Sequence, residues 1–327
     1  AGGPHAEVMA LRYAAARRHS VQGATAWVTL EPCAHQGRTG PCCDALAAAG
    51  IGRVVSAMTD PNPQVAGQGL ARLQAAGAQV ETLNPNCDEA QQARELNIGF
   101  FSRMERGLPW VRMKIAASLD GQTSLQNGQS QWITSEPART DGHAWRARAC
   151  AVLTGIGTVL EDNPRLDVRG HDTPRQPHLV IVDSRLETPL SARLFETLGQ
   201  GDQARQIWIY TATEGAAGQR TALQKQGATV IDMPGPGGKV DLAAMLQDLA
   251  RREINELHVE AGHKLNGSFI REGLIDEFLV YMAPQLLGPG QGMANLPALT
   301  ALSGSVKLAF HAVECIGPDL RLLLRRR

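Results

Sequence analysis

Along the first hundred residues the apolar positions switch between a helical and a strand period. His5 to His19, rich in Ala, Leu and Arg, reads as a helix, and Ala24 to Leu30 (ATAWVTL) reads as a strand. Cys42 to Ala49 reads as a short helix stopped by Gly50, and Val54 to Met58 as a second strand. Asp60-Pro-Asn-Pro63 is a turn, Gln68 to Ala76 a helix closed by Gly77, and Ala78 to Thr82 a third strand. Strands separated by helices predict parallel pairing with right-handed crossovers. Glu89 to Met104 reads as one helix, and Glu105-Arg-Gly-Leu-Pro109 as a linker. The expected domains are therefore 1–104 and 110–327, joined by 105–109.

The second part repeats the α/β logic with more strands. Trp110 to Ala117, Ala151 to Thr154, His178 to Val182, Gln206 to Thr211, Thr229 to Met233, Glu256 to Glu260 and Glu277 to Ala283 are strand candidates. Helices are expected at Pro137 to Cys150, Gly218 to Gln226, Leu242 to Arg252 and Lys264 to Glu272. Lys307 to Ile316 and Leu320 to Leu324 follow each other without a helical pattern, which predicts antiparallel pairing at one edge.

Composition narrows the class. At 327 residues two domains are the better expectation. Lys and Arg number 32, as do Asp and Glu, so no global field draws the chain to nucleic acid or to anionic membrane. No apolar run approaches the ~20 residues of a membrane span, and no signal peptide is visible. Three of the six cysteines fall within eleven positions (33, 42, 43) and the others are scattered. That pattern fits a local metal site plus isolated thiols better than a disulfide scaffold, and favours a reducing cytoplasm.

His5-Ala-Glu7 opens a helix, Pro32-Cys33 follows a strand, and Cys42 opens the next helix after Pro41. One His and two Cys leave one tetrahedral position open, as in a catalytic zinc site where the metal lowers the pKa of water. Glu7 could take that proton and pass it to a leaving amine. The helix start favours a thiolate at Cys42. His5 and Glu7, two residues apart, converge only if His5 sits at the irregular start of the helix. H-x-E followed by P-C-x-x-C is the signature of zinc nucleobase deaminases, and here eight residues separate the cysteines. A structural site with Cys43 as fourth ligand, and unrelated core thiols, are the competing readings. The polar insert His35-Gln-Gly-Arg-Thr-Gly-Pro41 could grip an anionic substrate or be a plain surface loop.

At these residues the chain resembles the bifunctional pyrimidine deaminase–reductase family of riboflavin biosynthesis. HAEVMALR (5–12), TLEPCAHQGRTGPCCDAL (29–46) and DPNPQVAGQGL (60–70) carry the first half. KIAASLDGQTS (114–124), SQWITS (130–135), TVLEDNPRLDVR (158–169), VDS (182–184), HVEAGHKLNGSFI (258–270) and APQLLG (283–288) carry the second. The resemblance implies an α/β protein: a cytidine-deaminase-like αβα domain, then a dihydrofolate-reductase-like mixed-sheet α/β domain. It implies hydrolytic deamination of a phosphoribosylated aminopyrimidine, then reduction of the ribose by NADPH to a ribityl chain. It also implies a helix and a strand pair ahead of the His5 segment. Without them, the alternative is an active reductase carrying an inactive zinc-bound scaffold. Zn2+ and NADPH are the implied cofactors, and a homo-oligomer is expected.

In the second half, Gly121 suits a positive-φ turn, and Trp132 is either a stacking surface or a core filler. Thr154-Gly-Ile-Gly157 lacks the third glycine of a dinucleotide fingerprint, and Gly262 to Ser268 lacks the Lys of a P-loop, so an NTPase is rejected. By resemblance, Ala116, Trp132, Thr158, Asp162 and Ser184 would line the NADPH site with Gly262, His263, Lys264, Leu265, Asn266, Gly267 and Ser268. Ser130, Arg146, Leu166, Arg169 and Glu260 would hold the substrate. Two arginines suit a sugar phosphate. Ser184-Arg185 could meet the extra phosphate of NADPH. Lys114, Asp120 and Glu260 are the candidate proton donors.

Overall fold

A computed structural model describes residues 3–36, 40–63, 65–199 and 204–327. It divides into two units, Ala1–Arg106 and Gly107–Arg327.

The first unit runs α1 (Ala6–Ala16), β1 (Thr25–Val28), α2 (Cys42–Ala48), β2 (Arg53–Ser56), α3 (Gln68–Ala75), β3 (Gln79–Thr82), α4 (Asp88–Leu96) and α5 (Ile98–Arg106). The three strands pair in parallel in the order β1-β2-β3. Cys43 and Leu46 of α2, Val54 of β2 and Leu73 of α3 form the core. The single helix expected over 89–104 is two helices. Asn97 leaves the helical region (φ −115°, ψ 20°), and its side-chain amide donates to the Ala93 carbonyl at 3.4 Å. An asparagine that takes a backbone carbonyl competes with the helix ladder and ends it. The helix α5 continues to Arg106, so the start of the expected linker is helical, and Gly107 (φ +67°) makes the turn.

The second unit is built on nine strands: β4 (Trp110–Ser118), β6 (Ala151–Gly155), β7 (His178–Val182), β8 (Ile207–Thr211), β9 (Ala228–Asp232), β10 (Glu256–Val259), β11 (Glu277–Ala283), β13 (Leu308–Ile316) and β14 (Asp319–Arg326). Their order is β13-β14-β11-β4-β10-β6-β7-β8-β9. Strands β11 to β9 in that order are mutually parallel, and β14 and β13 add an antiparallel hairpin at one edge. Two short strands, β5 (Gln122–Leu125) and β12 (Gly290–Gly292), pair separately. Their polar and glycine-rich sequences carry no apolar alternation, so the pattern did not announce them.

The helices cover both faces of the parallel strands, as buried parallel sheets require. Alternate residues feed opposite cores. Leu153, Val180 and Tyr210 face α9 (Leu242–Arg251) and α10 (His263–Arg271). Val152, Ile181 and Ile209 face α7 (Ile156–Asp162) and α8 (Ala217–Lys225). The helix α7 was not expected. Gly155 caps it, and a Cβ there would meet Leu265 at 3.1 Å, so this glycine serves helix packing. The remaining helix, α6 (Glu136–Arg148), stops before Cys150 because Ala149 is extended and buried.

Candidate functional site

In the first unit His5, Cys33 and Cys42 converge, with their ligand atoms within 4.8 Å of one another. His5 Nδ1 lies 3.3 Å from Cys42 Sγ and 3.6 Å from Cys33 Sγ. Local structure makes this possible. His5 is the N-cap of α1 with extended backbone (φ −67°, ψ 163°), so its ring is free of the helical register while Glu7 occupies the first turn. Cys42 is the first residue of α2, and its amide donates to Cys33 Sγ at 3.3 Å. Burial pushes the Cys42 thiol well up, and the nearby Glu7 carboxylate and Cys33 push it further. A cation seated among these donors reverses that penalty, so the donor set fits zinc. Cys43 turns into the apolar core, with its sulfur 3.5 Å from Asp44 Oδ1. It is not part of the cluster. Of the polar insert, residues 37–39 lie outside the described residues.

Glu31 is a residue that sequence reasoning missed. Only 4% exposed, its carboxylate accepts from the amides of Asp60 (3.1 Å), Gly67 (2.8 Å), Gly69 (2.8 Å) and Leu70 (3.3 Å). It thereby caps α3 from a distance and ties the Pro32-Cys33 segment to the 60–70 loop. A Cβ on Gly69 would lie 1.8 Å from the Pro32 carbonyl oxygen, so only glycine allows this approach. The available signal was an acidic residue closing an apolar strand immediately before a ligand.

The second unit contains a cavity of about 1340 Å³. From the expected cofactor set, Ala116, Trp132, Thr158, Asp162, Gly262, His263 and Asn266 line it. So do all five expected substrate residues, Ser130, Arg146, Leu166, Arg169 and Glu260, together with Lys114. Trp132 is 68% exposed and lies under the Arg139 guanidinium at 4.4 Å, so it is not a core filler. Lys264, Leu265, Gly267, Ser268 and Ser184 do not line the cavity. Leu265 packs on the core, Gly267 sits against the Asn295 carbonyl, and Ser268 bonds Arg271 and Lys264 within α10. The Ser184 hydroxyl accepts from the Val240 amide, and Arg185 pairs with Glu187.

Glu260 follows the last residue of β10. Its amide donates to the Leu153 carbonyl, and its own carbonyl accepts from Thr154 Oγ1. Its carboxylate receives both ends of the Arg146 fork, at 2.7 and 2.9 Å. Burial alone would raise its pKa, but Arg146 and His258 outweigh it and hold the carboxyl well below the usual range. Arg146 also donates to the Asp167 carbonyl at 2.6 Å, so its guanidinium is held in place where it lines the cavity. Burial lowers the Lys114 pKa, Glu260 partly restores it, and Arg146 lowers it again. Asp120 lies elsewhere. Its carboxylate accepts from Ser118 Oγ and from the Leu287 and Gly288 amides, which hold it ionised.

Sequence reasoning also missed His143 and Arg205. His143 lines the cavity beside Arg146. Arg205, buried, donates to the carbonyls of Pro177, Arg165 and Leu166 and so shapes the wall that carries Leu166 (φ +51°).

A sulfur–imidazole cluster with an adjacent glutamate, followed by a mixed-sheet unit with a large polar cavity, defines a two-part enzyme of the deaminase–reductase class. The cytidine and deoxycytidylate deaminase zinc-binding region matches residues 1–58, and the RibD C-terminal domain matches residues 109–322. The riboflavin biosynthesis protein RibD of Escherichia coli K12 is 42% identical over 99% of this chain and 87% of its own. The Acinetobacter baumannii RibD structure superposes with a TM-score of 0.86 at 39% identity, over 100% of this chain and 86% of that one. A Thermotoga maritima diaminohydroxyphosphoribosylaminopyrimidine deaminase/5-amino-6-(5-phosphoribosylamino)uracil reductase superposes with a TM-score of 0.81 at 29% identity, over 100% and 86%. The chain belongs to the RibD family of riboflavin biosynthesis proteins.

Proposed function

We propose that the first unit hydrolytically deaminates 2,5-diamino-6-hydroxy-4-(5-phosphoribosylamino)pyrimidine. The second then reduces 5-amino-6-(5-phosphoribosylamino)uracil to its ribitylamino product with NADPH. The reading is supported by family membership and carried by one observation: a three-donor cluster with Glu7 beside it and a separate polar cavity occur on the same chain.

In the first unit His5, Cys33 and Cys42 would hold zinc, which would supply a Lewis acid that acidifies water. Glu7 takes a proton there and delivers it to the departing amine. Glu31 holds the Cys33 segment in place from behind. In the second unit NADPH supplies the hydride. Trp132 would offer the cofactor a stacking surface, and Ala116, Thr158, Asp162, Gly262, His263 and Asn266, which line the cavity, would hold it. Lys264 and Leu265 offer first-turn amides of α10. Gly267 permits the close approach of that helix to the 290–296 loop, while Ser184 and Ser268 support the site from outside the wall. Ser130, Arg146, Leu166, Arg169 and Glu260 hold the substrate, with Glu260 also fixing the Arg146 fork. Lys114 supplies the proton, because Glu260 is held as a carboxylate and Asp120 stands apart.

The domain assignment is 1–104 for deamination and 110–327 for reduction. Among the described residues no helix is long and apolar enough to cross a membrane. None of the six cysteines is paired in a disulfide, in keeping with the reducing compartment proposed for this protein. A homo-oligomer formed through the second unit fits the edge strand β13, which leaves Phe310 and Val313 exposed.

Chelation and zinc return test the division of labour. Ammonia release from the aminopyrimidine should stop on chelation and recover with one zinc per chain, while NADPH oxidation with the uracil substrate continues. Ammonia release that ignores chelation would remove zinc from the reading.

A further inference from the structure

The imidazole of His143 stands between two arginines. It lies three residues before Arg146 on α6, so the two share a helix face. His143 Nδ1 receives the Arg169 backbone N–H at 3.2 Å and lies 3.5 Å from Arg146 Nη1. A backbone amide and a guanidinium can only donate. Nδ1 must therefore be bare, and the ring proton resides on Nε2. The charged groups around the ring are Arg146 on its own helix, Arg169 and Asp167 from the following loop, and Glu260 after β10. Burial and the two arginines together push the imidazole down to about 4, in keeping with a neutral ring.

The surroundings select an anion. Glu260 is occupied by the Arg146 fork. Asp167 is shared by Arg165 and Arg169, and Arg169 remains 58% exposed, so its charge is only partly matched. A neutral ring with a fixed N–H beside that guanidinium adds a directional donor without adding charge.

We propose that His143 is a specificity-determining residue of the reductase cavity, whose Nε2–H donates to a phosphate oxygen of the substrate beside Arg169. This rests on the reductase reading above and extends it to a residue outside the expected site. The same contact holds the Arg169 main chain, while the Arg169 guanidinium pairs with Asp167.

The test is steady-state NADPH oxidation by the full chain, with phosphoribosylaminouracil and with its dephosphorylated ribosyl analogue. His143→Ala should raise KM for the phosphorylated substrate about 10- to 100-fold, as loss of a hydrogen bond to a charged group does. Its kcat should stay within about 3-fold, and the analogue's KM should not move. His143→Gln, which offers one acceptor and one donor, should recover most of the loss. Equal loss on both substrates, or no loss, would overturn the proposal. Nitrogen-15 NMR of the wild-type ring gives a readout independent of any variant's folding: a bare Nδ1 and a protonated Nε2 at neutral pH are expected, and a protonated Nδ1 would contradict it. If the wild-type chain fails to oxidise NADPH with the phosphorylated substrate, the reductase reading itself fails. If it turns over and the KM of His143→Ala is unmoved, only His143 is excluded.

Discussion

At the scale of single residues, the two sites depend on different electrostatic devices. The metal cluster gathers negative charge and so needs a cation; Cys42 is buried beside Glu7 and Cys33. The cavity does the opposite and pins the Glu260 carboxylate, only 14% exposed, with a guanidinium. Glu7→Gln should retain one zinc and full NADPH oxidation with the uracil substrate, yet lose deamination of the aminopyrimidine by ~10²-fold or more. Unchanged ammonia release from this variant removes Glu7 from the chemistry. Lys114 predicts a pH profile. Its pKa is lowered by burial, so the ammonium form is lost at a lower pH than for an ordinary lysine. If that form is the acid, the reductase kcat should fall as pH rises through this lowered pKa, well before the usual lysine range. Lys114→Met should flatten the alkaline limb and reduce kcat by ~10²-fold. A profile unchanged in Lys114→Met assigns the proton to another group.

At the scale of elements, the pattern of apolar positions located the strands because each carries a strong local signal. The strand at His178–Val182 carries the apolar run Leu-Val-Ile-Val, whose alternate residues feed two cores. The His5, Cys33 and Cys42 cluster was legible because each residue directly follows a proline beside a helix start or strand end. The break at Asn97 was not legible, since it turns on one side-chain amide reaching back to Ala93. Glu31 and His143 were not legible either, because their roles exist only through backbone amides brought from 29 to 39 residues away, or from 26 in the case of His143. Strands β5 and β12 are too short and polar to alternate. The Glu31 clamp yields a prediction at this scale. Gly69→Ala places a methyl group against the Pro32 carbonyl, so either α3 or the Cys33 segment must shift. Zinc should dissociate at least ~10-fold faster, as it does when supporting contacts behind a ligand are lost. Competition with a chromogenic chelator measures this, and an unchanged release rate would separate the clamp from the metal site. Glu31→Gln should act in the same direction and destabilise the first unit by ~1–3 kcal/mol, because amides that faced a carboxylate lose acceptors.

At the scale of the whole molecule, the two units have separate cores and separate chemistry, and each part of the reading can fail without the other. An active reductase on an inert zinc scaffold is the form such a failure would take. The polar cavity of the second unit suits a small polar substrate. The most direct test starts from the deaminase substrate and reads the reductase. The zinc-loaded chain is given 2,5-diamino-6-hydroxy-4-(5-phosphoribosylamino)pyrimidine and NADPH, and NADPH oxidation is followed together with ammonia. The two-step account predicts ammonia first, oxidation after a lag, and neither in Glu7→Gln. Oxidation from the uracil substrate with neither ammonia nor oxidation from the aminopyrimidine would contradict it.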